Sequence, residues 1–64
     1  MCLASVYSEK DGEKKLLMAK VAKLEPENGA VVCRDFLGRT LRVNGRIAHI
    51  DLENNIIICS TEDN

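Results

Sequence analysis

Sixty-four residues, 45% of them hydrophobic, with nine Lys/Arg against ten Asp/Glu, make one small domain spanning residues 1–64. One Phe, one Tyr and no Trp leave the core to Val, Ile, Leu, Met and Ala. The net charge of −1 and a pI of about 5.7 argue against a non-specific nucleic-acid binder, which needs clustered Lys/Arg.

In chain order, Cys2 to Ser8 alternates Cys2/Ala4/Val6 against Leu3/Ser5/Tyr7, the pattern of a half-buried strand. Glu9-Lys10-Asp11-Gly12 reads as a turn, completed by Glu13 and Lys14, because Asp-Gly adopts positive φ cheaply. Leu16–Leu17 is expected to be a short strand or bend, although Leu17, Val21 and Leu24 also fit helical spacing. Ala19–Glu25 and Ala30–Arg34 flank Pro26-Glu27-Asn28-Gly29, whose Asn-Gly is the strongest hairpin signal in the chain. Asp35 to Arg39 turns, Thr40 to Val43 forms a strand with Leu41 and Val43 inward, and Asn44-Gly45 is expected to turn again. Arg46–Leu52 alternates, Glu53-Asn54-Asn55 turns because Asn tolerates the left-handed region, and Ile56–Thr61 is a β-branched run suited to a strand buried on both faces. The polar end from Ser60 to Asn64 is expected to fray. Asp51, just before the last turn, is expected to cap backbone N–H groups. Together these segments predict an all-β fold: a small barrel or rolled antiparallel sheet of five to six short strands.

Cys2, Cys33 and Cys59 are three and widely spaced, which is neither a disulfide framework nor a paired-cysteine zinc site. With no signal-peptide pattern and no apolar run near the length of a membrane span, the chain reads as cytoplasmic and not membrane-bound. Catalytic patterns are missing. Gly12, Gly29, Gly38 and Gly45 are dispersed rather than gathered in a phosphate loop, and nothing in the spacing obliges His49 to meet a cysteine. His49 reads as a half-exposed strand residue, and Cys33 and Cys59 as packing thiols in aliphatic strands.

Cys2 differs chemically. If the initiator Met1 is removed, thiol and α-amine sit on one residue and can close a five-membered N,S chelate ring on a metal. If Met1 stays, the thiolate is flanked by backbone amides that Ni(II) or Cu(II) can deprotonate. Sulfur with nitrogen suits tetragonal Ni(II) or Cu(II), or tetrahedral zinc. The plain alternative is a small apolar residue at a strand start.

Three stretches carry a resemblance to a known family. The start Met1-Cys2-Leu3-Ala4 with Val6-Tyr7, the middle Glu27-Asn28-Gly29-Ala30-Val31, and Gly45 to Ile57 with its Asp51-Leu52 and following turn all resemble the CooT family of small nickel-binding proteins. The resemblance spans essentially the whole chain. It implies a homodimer of SH3-like subunits that handles nickel for carbon monoxide dehydrogenase, with Cys2 as the metal residue and no enzymatic activity. It assigns no role to Cys33, Cys59 or His49. Asn54-Asn55 departs from the family, where a turn Gly is common. The start also resembles the hydrogenase-maturation chaperone HypC, but that family's proline after the cysteine is replaced here by Ser5-Val6-Tyr7.

On this reading the chain is a nickel metallochaperone or nickel store. Ni(II) is held at a homodimer by two Cys2 thiolates and adjacent main-chain nitrogen in a square-planar set, and the partners are a nickel enzyme or its maturation proteins. The dimer is expected because the outer face of Ile56-Ile57-Ile58 would otherwise be wet, at roughly 25 cal/mol per Å². The competing reading is an RNA-binding or protein-interaction adaptor without metal, its RNA form disfavoured by charge.

Overall fold

The computed structural model describes residues 2–61. The order is β1 (Ala4–Lys10), β2 (Glu13–Glu27), β3 (Ala30–Asp35), β4 (Thr40–Asp51) and β5 (Ile56–Thr61), with no helix among the described residues. Neighbouring strands pair in sequence order, and β5 returns to β1 to close the ring into a barrel. Four of the pairings are antiparallel. The closing one is parallel, setting Ser5–Glu9 beside Ile56–Ser60. The all-β class, the five strands and the barrel therefore match the sequence-based expectation, and the parallel closure is an addition to it.

Two strands are far longer than the residue pattern indicates. β2 runs without a break where a bend at Leu16–Leu17 and a separate strand were expected. Its first part pairs with β1 and its second with β3, with register breaks on both sides of Val21 and Lys20 at φ 56°. The irregularity at Lys20–Val21 falls inside the stretch expected to be a regular strand and not at Leu16–Leu17 alone, and it is a bulge, which bends a strand without ending it.

β4 behaves likewise. Asn44-Gly45 does not turn. At that point the strand passes from pairing with β3 (Thr40–Asn44) to pairing with β5 (Gly45–Asp51). Gly45 has φ 151°, its N–H donates to the Gly29 carbonyl at 3.0 Å, and a Cβ there would overlap the Ser60 carbonyl. The glycine is required by close backbone approach at a barrel corner, a use that resembles a turn signal in sequence.

The true turns follow local chemistry. Asp11 and Gly12 both have positive φ, 53° and 82°, between the paired Lys10 and Glu13, so the first hairpin is tighter than expected and Glu13 and Lys14 belong to β2. Asn55 takes φ 57°. Asp51 accepts from the Glu53 N–H at 3.1 Å and the Asn54 N–H at 3.2 Å, the capping role read from its position. Ser60 and Thr61 are paired in β5, and the rest of the expected frayed end lies outside the described residues.

A five-stranded barrel has a narrow interior, and the core composition reflects it. The largest fully buried side chains are only Val6, Val31, Cys33 and Cys59. Val21 and Val43 complete the centre, and Leu17, Met18, Leu24, Leu41, Ile47 and Ile57 pack around it. Ile58 is 7% exposed within one chain, so the outer face of β5 is better covered than the sequence suggests.

Among the described residues, one charged side chain enters the interior. Asp35 is 2% exposed. Its Oδ1 accepts from the Leu37 N–H at 3.0 Å and the Arg39 N–H at 2.9 Å, and its Oδ2 from Arg39 Nε at 2.7 Å. Burial by itself would raise this carboxyl, but the Arg39 side-chain hydrogen bond and the two backbone donors outweigh it, and the net shift is downward. The Asp35 carboxylate therefore fixes the β3–β4 turn.

Two outcomes are expected. Gly45→Ala loses about 3 kcal/mol or more, because it adds a Cβ overlap to a backbone conformation that L residues avoid; denaturant unfolding measures it, and a loss below 1 kcal/mol contradicts the corner. Because the Asp35 carboxyl is depressed on folding, its contribution is full above the unfolded value of about 3.9 and lost as pH falls through the folded one. Asp35→Asn thus melts below wild type at neutral pH, and the gap narrows as acid is added; a gap independent of pH contradicts the assignment.

Candidate metal centre

Cys2 lies just ahead of β1 and is exposed. Its location follows from the ring closure. The N–H of Ser5 donates to the Asn55 carbonyl at 2.9 Å, so the start of β1 is tied to the β4–β5 turn. Cys2 therefore emerges at the barrel end that carries this turn, whose Ile50 and Leu52 are 52% and 81% exposed. Sequence reasoning could not join Cys2 to Ile50 and Leu52, because the pairing responsible is about fifty residues apart in the chain.

Cys33 and Cys59 are elsewhere and of a different kind. Both are completely buried in the barrel centre, and burial pushes both thiols up, with the nearby Cys59 acting in the same direction on Cys33. A raised, enclosed thiol is a poor nucleophile and a poor metal ligand. These two are packing residues, as their aliphatic contexts indicated. Of the three cysteines, all among the described residues, Cys2 alone reaches solvent.

His49 is exposed on β4 opposite Ile58, and among the described residues no three His, Cys, Asp or Glu side chains converge on a point that could hold a metal. One chain thus offers Cys2 with its own main-chain nitrogen and no ready-made cage of side chains. Sulfur plus nitrogen from one residue fills two positions of a four-coordinate ion, and a second chain can fill the other two.

Asp35 escaped notice as an ordered, buried carboxylate, since an Asp in a turn reads as an exposed cap. Its spacing to Arg39 was the available signal. Asp35 organises the β3–β4 turn, and its carboxylate is taken up by Leu37 and Arg39.

Cys33→Ala and Cys59→Ala should each cost about 1 kcal/mol of stability through a small cavity while metal affinity is retained. Thermal unfolding and nickel titration check the two halves, and a tenfold loss of affinity in a folded variant would make either thiol a ligand.

The whole backbone is similar to the crystal structure of a Carboxydothermus hydrogenoformans protein identified as a CooT, with a TM-score of 0.87 and 22% identity over 97% of this chain and 100% of that one. At that identity the likeness establishes the fold. No curated protein sequence is similar enough to add a second relative. The family described as "CO dehydrogenase accessory protein CooT" matches residues 1–60, so nearly every strand and turn described above falls inside it. The chain belongs to the CooT family of CO dehydrogenase accessory proteins.

Proposed function

We infer that this chain is a nickel-binding accessory protein, a metallochaperone or nickel store, that serves the maturation of carbon monoxide dehydrogenase in the cytoplasm. The observation that carries the reading is the contrast among thiols: Cys33 and Cys59 are sealed in the core, while Cys2 is exposed beside main-chain nitrogen. Two copies of the chain supply two Cys2 thiolates and two nitrogens, a complete square-planar donor set for Ni(II), and neither copy supplies it alone. Handing on the ion requires no turnover chemistry by the protein.

The dimer has its own support. The outer face of β5 is no longer the strongest argument, given how well Ile58 is covered. Exposed Ile50 and Leu52 instead share the barrel end from which Cys2 emerges. A two-fold contact there would remove apolar surface from water and bring the two Cys2 residues toward each other. An RNA-binding reading has less behind it, because the net charge of −1 leaves little field to attract phosphates.

Nickel binding displaces the thiol proton, so affinity should fall as pH is lowered. Cys2→Ser should keep the barrel, since Cys2 contributes nothing to the core, and should weaken Ni(II) binding at least tenfold, about 1.4 kcal/mol or more. Calorimetric nickel titration at neutral pH makes the comparison, and unchanged affinity in a folded Cys2→Ser protein removes Cys2 from the site.

A further inference from the structure

The barrel carries a second feature on the β3–β4 side, unrelated to Cys2. At the register break in β2, Lys20 adopts φ 56°, a left-handed conformation that side-chain-bearing residues rarely take. That backbone is held by the Phe36 N–H, which donates to the Lys20 carbonyl at 3.1 Å. It sets the Lys20 ammonium over the Phe36 ring, 5.7 Å from its centre. Beside it, Phe36 and Leu37 are 52% and 64% exposed, on a turn clamped by Asp35. Lys20, Phe36 and Arg39 rim a shallow groove, and half-buried Leu17, Met18 and Leu41 supply its apolar floor.

The neighbouring row of the sheet adds charge in an unusual way. Lys23 stands directly opposite Arg34, both exposed, with Thr40 next in the row. Like charges directly across a strand pair destabilise a sheet. Among the described residues neither side chain is in an ion pair, and Glu25, two residues along from Lys23, is opposite Val32. Asp35 is committed to Arg39. Thus Lys20 and the Asp35-paired Arg39 line the groove, and Lys23 and Arg34 occupy the row that reaches it at Thr40, beside two exposed apolar side chains on a clamped turn.

We propose that this corner, formed by Lys20, Lys23, Arg34 and Arg39 around Phe36 and Leu37, is a docking surface for an acidic peptide segment of a partner protein, its carboxylates flanking an apolar side chain. The cations complement the carboxylates. The groove with Leu17, Met18 and Leu41 at its base accepts the apolar residue, and the partner relieves the Lys23–Arg34 repulsion. A nucleic acid fits less well: Phe36 is the one aromatic at the corner and its ring already faces Lys20, and Leu37 asks for an apolar contact that phosphate does not provide. A second copy of the chain carries one such run, Asp51-Leu52-Glu53 with Leu52 81% exposed, but its Asp51 carboxylate is already occupied by the Glu53 and Asn54 N–H groups and the Asn54 side-chain amide. The surface is independent of the nickel reading, because it uses none of the residues near Cys2.

A phage-displayed dodecapeptide library panned on the wild-type protein tests this. Enriched peptides should carry Asp or Glu on both sides of Leu, Ile or Phe. Synthesised peptides should bind with an affinity that falls at least tenfold in the Lys23→Glu/Arg34→Glu protein and on addition of salt, and they should shift the backbone amides of Lys20 and of residues 34 to 40. Circular dichroism of the double variant verifies that the barrel is kept, and Leu37→Ser, an exposed change, provides a second loss of binding. Enrichment that survives the charge reversal, peptides without acidic residues, shifts confined to another face, or no enrichment at all would overturn the proposal. So would tighter binding of an oligouridine RNA at the same residues.

Discussion

The parallel pairing of β1 with β5 is the constraint on which the rest of the molecule depends. It turns a meander of four antiparallel steps into a ring, and it covers the one edge that β1 and β5 would each otherwise leave free. Val6 and Cys59 are completely buried because the ring closes over them. The same pairing anchors Ser5 to Asn55 and so delivers Cys2 to the end of the barrel that exposes Ile50 and Leu52. Closure also restricts what the interior can hold. The centre is built from Val and Cys, and Phe36 lies outside, where the β3–β4 turn displays it.

Closing a ring from only five strands demands strong bending, and two long strands provide it. β2 bends at the bulge around Lys20, and β4 at Gly45. Each gives up one partner and takes another at its bend. The two bends have different costs: Gly45 avoids strain by lacking a Cβ, whereas Lys20 retains a side chain in the left-handed region. Only the second leaves a charged group at the bend, and that group sits over Phe36.

Much of this was legible in the residues, and what was not has a physical cause. Asp11-Gly12, Asn28-Gly29 and Asn55 act locally, through backbone preferences of one or two residues, and each marks a real turn. Asn44-Gly45 carries the same signal for a different reason, because local chemistry cannot separate a turn from a corner where backbones nearly touch. The parallel closure joins residues about fifty apart and has no local signature. The burial of Cys33 and Cys59 followed from their aliphatic neighbours, and the exposure of Cys2 agrees with its place ahead of the first strand. The family resemblance rested on the order of three stretches, and the family match over residues 1–60 bears it out. The carboxylate of Asp35 was missed because its burial depends on Arg39 folding back across the turn.

The account of function rests on one thiol that the core does not claim, near an apolar barrel end able to meet its own copy. Its central claim is a shared ion, with half the ligands from each chain. Native mass spectrometry of the metal-free protein titrated with Ni(II) tests this most directly, since it counts chains, metal ions and displaced protons in one spectrum. The account predicts a dimer that takes up a single nickel for its two chains, with loss of the thiol protons. A monomer carrying its own nickel, or a dimer that fills with one ion per chain, would contradict it.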